Sequence, residues 1–107
     1  MRVETLLDGD VVTADGQSAS IEFHMPKTIR GIVQYTTTSY SGFTSIVFKL
    51  QGRLNAEHDW VDVTDTSKTH AGNATNAAED ITLYPEMRCD YNVTGTGTAT
   101  CEVSVGS

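Results

Sequence analysis

Hydrophobic and polar residues alternate with a period of two along most of this chain. In residues 20–25, Ile21 and Phe23 fall on one face while Glu22 falls on the other, and residues 44–50 repeat the pattern. Such an alternation is typical of β-strands that bury one face. No stretch keeps the 3.6-residue repeat of a helix for long, so the chain is predicted to consist of strands.

The same pattern divides the chain into short strands separated by polar or glycine-containing turns. The N-terminal part is predicted to hold two strands, split by a turn at Asp8-Gly9-Asp10. The predicted strands are residues 2–7, 11–14, 20–25, 29–37, 44–50, 59–64, 79–84, 87–93 and 98–105. A count of about seven to nine strands predicts an all-β fold, an antiparallel β-sandwich of the immunoglobulin-like or jelly-roll-like kind, in a single domain spanning residues 1–107. Residues 64–76, which are polar, are predicted to form a loop.

The alternation also predicts which residues form the core, and it leaves the placement of one aromatic residue open. The predicted core includes Phe48, Leu50, Ile81 and Leu83. Trp60 is out of phase with the valines on either side of Asp62, so the alternation puts it on the opposite face from them. Two interpretations stay open for Trp60: its ring caps one end of the core, or it belongs to a surface that contacts a ligand.

The two cysteines lie in the last two predicted strands. The segment Thr94-Gly95-Thr96-Gly97 has the composition of a hairpin turn. A hairpin with Gly95 at its tip places Cys89 and Cys101 directly opposite each other, on a core face. The pair is then either a disulfide or two buried thiols, and a chain made in the cytoplasm favours the thiols.

The charge of the chain limits its partners. Seven basic and fourteen acidic residues give a net charge of −7 and a sequence pI of about 4.6. Nucleic acids and anionic membranes are bound mainly through Lys and Arg, so neither is an expected partner. The opening Met1-Arg2-Val3-Glu4 does not resemble a signal peptide, and no stretch approaches the length of an apolar membrane span. Synthesis in a cytoplasm is therefore expected.

No motif with recognisable chemistry stands out. The acidic residues around His58 lack the glycine-centred spacing of a calcium-binding loop, and two cysteines alone cannot complete a zinc site. The three histidines, His24, His58 and His70, are expected in or beside loops or on the polar face of a strand. No nucleophile elbow or phosphate-binding glycine loop is present. The sequence thus predicts no catalytic, cofactor-binding or metal-binding residue, and a protein that is not an enzyme.

The order of motifs between residues 44 and 105 carries a resemblance. Three stretches recur in this order: Phe48-Lys49-Leu50-Gln51-Gly52-Arg53-Leu54-Asn55, then Asp59-Trp60-Val61-Asp62-Val63, then Leu83-Tyr84-Pro85-Glu86-Met87-Arg88-Cys89. A glycine- and threonine-rich turn with a valine-rich end follows. This order resembles small virion proteins of tailed bacteriophages and prophages that contain a β-sandwich. The resemblance implies a non-catalytic component of a phage particle, present in many copies.

Two functions follow as the main hypotheses. The first is a capsid decoration or cement protein, or another head-associated protein, located in the virion and bound to the major capsid protein or other virion proteins. The alternative is a tail, fibre or other module that binds a glycan. A homo-oligomer is expected in the first case, with residues 1–7 and 64–76 as candidate contact segments. A small enzyme is the third and least supported hypothesis.

Overall fold

A computed structural model describes residues 3–23 and 29–107, and within these residues the secondary structure is entirely β. The strands are β1 (Val3–Val12), β2 (Gly16–Gln17), β3 (Ile21–Glu22), β4 (Ile29–Ser41), β5 (Ser45–Arg53), β6 (Val61–Asp62), β7 (Lys68–His70), β8 (Ala74–Leu83), β9 (Glu86–Thr94) and β10 (Thr98–Gly106). No helix in the described part of the chain is long and apolar enough to cross a membrane.

The strands form two antiparallel sheets. The first sheet has the order β1-β10-β4-β8, and the second has the order β2-β9-β5-β6, with β3 also paired to β9 and β7 also paired to β5. The short strands β2 and β3 both pair with β9 and together form one edge of the second sheet, and β6 and β7 both pair with β5 and form its other edge. Counted in this way, the ten strands occupy eight strand positions, four in each sheet. The chain crosses repeatedly between the sheets, and β1 lies beside β10. This confirms the predicted sandwich and identifies the jelly-roll order rather than the immunoglobulin-like one.

The core lies between the two sheets and follows the alternation of the strands. Along β5 the buried and half-buried positions alternate without interruption. The predicted core residues Phe48, Leu50, Ile81 and Leu83 are all at most 2% exposed, which confirms the prediction. The ring of Tyr35 on β4 stacks on Phe48 of the opposite sheet, with their centroids 5.2 Å apart. This aromatic pair joins the two sheets at the centre of the sandwich.

The predicted hairpin between the last two strands is wrong. β9 pairs with β5, β2 and β3, whereas β10 pairs with β1 and β4, so the two strands lie in different sheets. The connecting segment is a crossover in which Gly95 has a φ of +89°. A Cβ atom on Gly97 would collide with the carbonyl oxygen of Ser41. Glycine here allows a close backbone approach, which the sequence alone does not distinguish from a hairpin turn.

The N-terminal region forms one strand instead of the two predicted. β1 runs through the expected turn, and its pairing with β10 shifts register between Thr5 and Leu7 and again between Asp8 and Asp10. Gly9 occupies the second irregularity with a φ of +70°. The turn-like composition therefore marks a β-bulge inside a strand, where glycine supplies the left-handed conformation.

The prediction of a loop at residues 64–76 is also wrong. This stretch contains β7 and the start of β8, and two of its side chains, Thr66 and His70, are buried in the core. The Thr66 hydroxyl donates a 2.8 Å hydrogen bond to the carbonyl oxygen of Val63 and accepts one of 3.1 Å from the amide of Leu50. Buried hydrogen bonds thus attach a polar segment that lacks a hydrophobic pattern.

Some predicted elements are shorter than expected or lie partly outside the described residues. The strand predicted at residues 20–25 is represented by β3 and by the buried side chain of Phe23, and residues 24–28 fall outside the described ranges. The strand predicted at residues 59–64 is reduced to β6. Residues 1 and 2 of the proposed N-terminal contact segment also lie outside the described part.

Candidate functional site

The outer face of the second sheet carries a continuous layer of paired polar side chains. Strands β5 and β9 place complementary residues directly opposite each other on this face. The three pairs are Lys49 with Asp90, Gln51 with Arg88, and Arg53 with Glu86. Cross-strand pairs of this kind stabilise an antiparallel sheet and fix the side chains that form them.

The contacts within this layer are short and extend to the neighbouring strands. The Arg53 guanidinium lies 2.8 Å from a Glu86 carboxylate oxygen, and Arg88 Nε donates a 2.7 Å hydrogen bond to Gln51. On β6, Asp62 accepts hydrogen bonds of 3.0 Å from both Lys49 and Gln51. The outer face is therefore a connected network across three strands, and its side chains are held in place before any partner binds.

Two carboxylates of this network, those of Glu86 and Asp62, are stabilised in their charged form. The hydrogen bond from Arg53 lowers the pKa of Glu86, against the opposing effect of burial. Hydrogen bonds from Gln51 and then Lys49 lower the pKa of Asp62. Both groups are ionised at neutral pH, so their charges offset the arginine and lysine beside them. The face presents alternating charges rather than a field of one sign.

Trp60 lies on this face, at the end of the polar layer. The guanidinium carbon of Arg53 is 4.1 Å from the centroid of the Trp60 ring, and that of Arg88 is 4.5 Å from it. These are cation–π distances, and they hold the half-buried indole in a defined orientation. Trp60 therefore does not cap the core but belongs to the outer surface.

Two exposed apolar residues belong to the same β5–β6 hairpin as Trp60. Leu54 follows directly after β5 and is 56% exposed, and Val61 on β6 is 46% exposed. Val61 pairs with Gly52 and therefore lies on the opposite face of the sheet from Trp60. We call the set comprising Arg53, Trp60 and Arg88 the Trp60 surface. Tryptophan and arginine are the residue types most enriched at the energetic centres of protein interfaces. The Trp60 surface combines both residue types.

A shallow cleft lies beside this surface, where β6 and β7 leave a gap along β5. Its volume is about 450 Å³, and its walls include Lys49, Asp62, Asp65 and Lys68. Lys49 is already bound to Asp62, which lies 3.0 Å away. Among the described residues, no group of three or more His, Cys, Asp or Glu side chains is arranged to hold a metal ion.

The two cysteines are free, buried thiols on different sheets. Cys89 on β9 is opposite Leu50, and Cys101 on β10 is opposite Thr37, so they are not neighbours across a hairpin as predicted. Burial raises the pKa of Cys89 and raises that of Cys101 to about 11. Both thiols are protonated at neutral pH and pack as small apolar side chains.

His70 is placed differently from the expectation for the histidines. It is 1% exposed on β7, and its Nδ1 lies 2.7 Å from the Thr37 hydroxyl. The ring also packs edge-on against Phe48, with centroids 5.2 Å apart. Burial lowers the pKa of His70, so the ring is neutral at neutral pH. His58 is exposed in the β5–β6 loop, and His24 lies outside the described residues.

Sequence reasoning found Trp60 but missed its partners. Arg53 and Arg88 are 35 positions apart in the sequence and meet over the same ring only because β5 and β9 are adjacent. The signal in the sequence was that Arg53 and Arg88 both fall at outward-facing positions of strands in which apolar and polar residues alternate. That signal becomes specific only when the pairing of the two strands is known.

Comparisons with known proteins identify the fold. No protein-family model matches the chain, and no curated protein matches it. A solved structure described as the crystal structure of PirA aligns with a TM-score of 0.53 and 13% identity, over 98% of this chain and 92% of the other. The SPBc2 prophage-derived protein YomS aligns with a TM-score of 0.49 and 12% identity, over 99% and 94%. A structure of infectious bursal disease virus, Gx strain, aligns with a TM-score of 0.36 and 10% identity, over 98% and 33%. At such identities the likeness to PirA shows that the two chains share a fold.

Proposed function

We propose that this protein is a non-enzymatic structural component of a bacteriophage particle, as a capsid decoration or other head-associated protein. The observation that carries the proposal is the Trp60 surface, a pre-ordered patch in which two arginines stack on a half-exposed tryptophan. Its partner is the major capsid protein or another virion protein. The resemblance of residues 44–105 to phage virion proteins supports the same assignment.

The chemistry of the outer face favours contact over catalysis. Its charged groups are bound to one another, as in the 2.8 Å pair between Arg53 and Glu86. Perturbed groups elsewhere, such as His70 and the two cysteines, are buried and packed against the core. A catalytic site needs titratable groups that reach a shared cavity, whereas a docking surface needs fixed anchors and accessible apolar area.

A glycan-binding module is the second candidate, because Trp60 is half-exposed and has polar neighbours. Sugars stack on a free face of an aromatic ring. Two guanidinium groups already lie within 4.5 Å of the Trp60 centroid and compete for its π-faces. Arginine stacked on tryptophan is better suited to a protein partner, to which it donates several hydrogen bonds.

The test is to bind the protein to particles that lack it. Particles are purified from a strain in which the gene is deleted, and labelled wild-type protein or Trp60→Ala protein is added back. Wild-type protein should bind in a fixed number of copies, and Trp60→Ala should bind about thirtyfold more weakly, as expected for loss of a central interface residue. Val11→Ala, at a 66% exposed position on the other sheet, is the matched control and should bind like wild type.

Two results would contradict the proposal. One is the absence of the protein from purified wild-type particles by mass spectrometry. The other is equal binding of wild-type and Trp60→Ala protein to the depleted particles. Binding of a glycan panel that is lost in Trp60→Ala, together with no binding to particles, would support the glycan-binding module instead.

A further inference from the structure

The first half of β8 lies on a long sheet edge and, among the edges in the described residues, lacks protection against pairing. β8 has ten residues and is hydrogen-bonded to β4 on one side, and within the described residues it has no strand on the other. Natural sheets protect such edges with short strands, charges, prolines or bulges, because an open edge can accept another strand. The four sheet edges of this sandwich differ in the length of their strands, in their charges and in their bulges.

The edges of the second sheet are short and interrupted. One is made by β2 and β3, with two residues each, and the other by β6 and β7, with two and three residues. The remaining edge of the first sheet, β1, is long but contains two register shifts and carries Glu4, Asp8 and Asp10. These three edges therefore have recognised protective features.

The first half of β8 has none of these features. Residues 74–78 read Ala-Thr-Asn-Ala-Ala, without charge, proline or glycine, and they pair with β4 in regular register. The irregularity comes later, at Glu79 and Asp80, where Asp80 has a φ of +55° and lies 2.8 Å from Arg30. The bulge and its charges limit any added pairing to residues 74–78.

We propose that residues 74–78 of β8 pair antiparallel with the same segment of a second copy of this chain. A two-fold axis at Asn76 places Thr75 of each copy opposite Ala77 of the other, with no large side chain to clash. The two four-stranded sheets then join into one sheet of eight strands, four from each copy. An interface of this kind is isologous, as in most homodimers.

The charge pattern around the segment supports a second copy as the occupant. The position of the two-fold axis, at any residue from 74 to 78, determines which residues of the second copy lie opposite Glu79 and Asp80. Glu79 then lies opposite a residue between 69 and 77, and Asp80 lies opposite a residue between 68 and 76. None of these residues is acidic, and one of them is Lys68. Self-pairing therefore places no carboxylate directly opposite another, although the whole chain carries a net charge of −7.

The association should be weak in isolation. A pairing of five residues buries far less than the roughly 1,200 Å² of a stable complex, so dissociation constants between about 1 µM and about 1 mM are expected. Sedimentation equilibrium across this range should show a monomer–dimer equilibrium for wild-type protein. Hydrogen exchange should show protection of residues 74–78 that increases with protein concentration.

Charge variants at position 77 test the self-pairing directly. Ala77→Lys and Ala77→Glu alone should each weaken dimerisation by about tenfold or more, because like charges then lie near each other across the axis. An equimolar mixture of the two variants should recover association, since unlike charges are then diagonal neighbours across the axis. Val11→Lys places the same charge on the protected edge of β1 and should dimerise like wild type.

The proposal is overturned if wild-type protein stays monomeric up to about 1 mM. It is also overturned if Ala77→Lys dimerises like wild type, or if the mixture associates no more tightly than each variant alone. Circular dichroism and thermal unfolding establish that the variants fold. Trp60 is on the other sheet, so failure of this pairing leaves the proposed particle contact unaffected, and the reverse is also true.

Discussion

Thr66 provides the sharpest test of how the polar segment after β6 is held in the fold. The side chain is fully buried, and its hydroxyl joins the carbonyl oxygen of Val63 to the amide of Leu50. Its own carbonyl oxygen accepts a 2.8 Å hydrogen bond from the Tyr35 hydroxyl of the opposite sheet. This residue therefore connects β5, the β6–β7 turn and β4.

The substitution Thr66→Val removes the hydroxyl while keeping the shape of the side chain. It leaves the amide of Leu50 and the carbonyl of Val63 buried without their partner. Each unsatisfied buried group costs about 1–3 kcal/mol, so the two groups together are expected to lower the free energy of unfolding by about 2–6 kcal/mol. That is a large share of the roughly 5–15 kcal/mol that stabilises a typical domain.

Thr66→Ser is the matched control, because it keeps the hydroxyl and removes one methyl group. Its expected cost is about 1 kcal/mol. Urea unfolding followed by circular dichroism measures both variants, and a shift in midpoint at constant m-value reports the stability change. If Thr66→Val costs less than about 0.5 kcal/mol, or less than Thr66→Ser, the buried hydroxyl does not anchor the segment.

Two further predictions concern the core around Phe48. Phe48→Ala should lower the free energy of unfolding by about 3–5 kcal/mol, because the ring is fully buried and leaves a cavity, whereas Val11→Ala on the surface should change it by less than about 0.5 kcal/mol. A Phe48→Ala effect as small as that of Val11→Ala would place the ring outside the core. Burial lowers the pKa of His70, so the unfolded chain binds more protons than the folded chain once the pH falls to about 6.5, and stability should decrease as the pH is lowered from there. His70→Gln should reduce this slope in urea unfolding at a series of pH values, and an unchanged slope would mean that His70 does not cause it.

The core could be predicted from sequence because its signal is local. In β5, alternate residues point to opposite faces, so the sequence around Phe48 and Leu50 already specifies which side chains turn inward. The same holds for Ile81 and Leu83 at the end of β8. Such predictions depend only on the geometry of one strand and not on its neighbours.

Strand pairing could not be predicted in the same way, because it depends on residues far apart in the chain. The segment around Gly95 has the composition of a tight turn whether the chain returns within one sheet or crosses to the other. Only the partners of β9 and β10 decide between these outcomes. The Trp60 surface has the same limitation, since Arg53 and Arg88 converge only through the pairing of β5 with β9.

His70 shows a different limit of sequence patterns. The segment around it is polar and resembles an exposed loop, yet Thr66 and His70 are both buried. The Thr66 hydroxyl is bound to the carbonyl oxygen of Val63, and Nδ1 of His70 is bound to the Thr37 hydroxyl, whereas Nε2 of His70 is buried without a partner among the described residues. A hydrophobicity pattern cannot recognise a residue that is buried through hydrogen bonds.

The pairing of β1 with β10 has a consequence for the order of events during synthesis. Val3 is opposite Gly106, and β10 separates β1 from β4, so β1 has no neighbour in its sheet until the last described strand has left the ribosome. Contacts between such distant residues close large loops and slow folding. The apolar side chains of β1 therefore stay exposed until β10 has been made, and nascent chains that lack β10 are expected to be more prone to aggregation than chains that contain it.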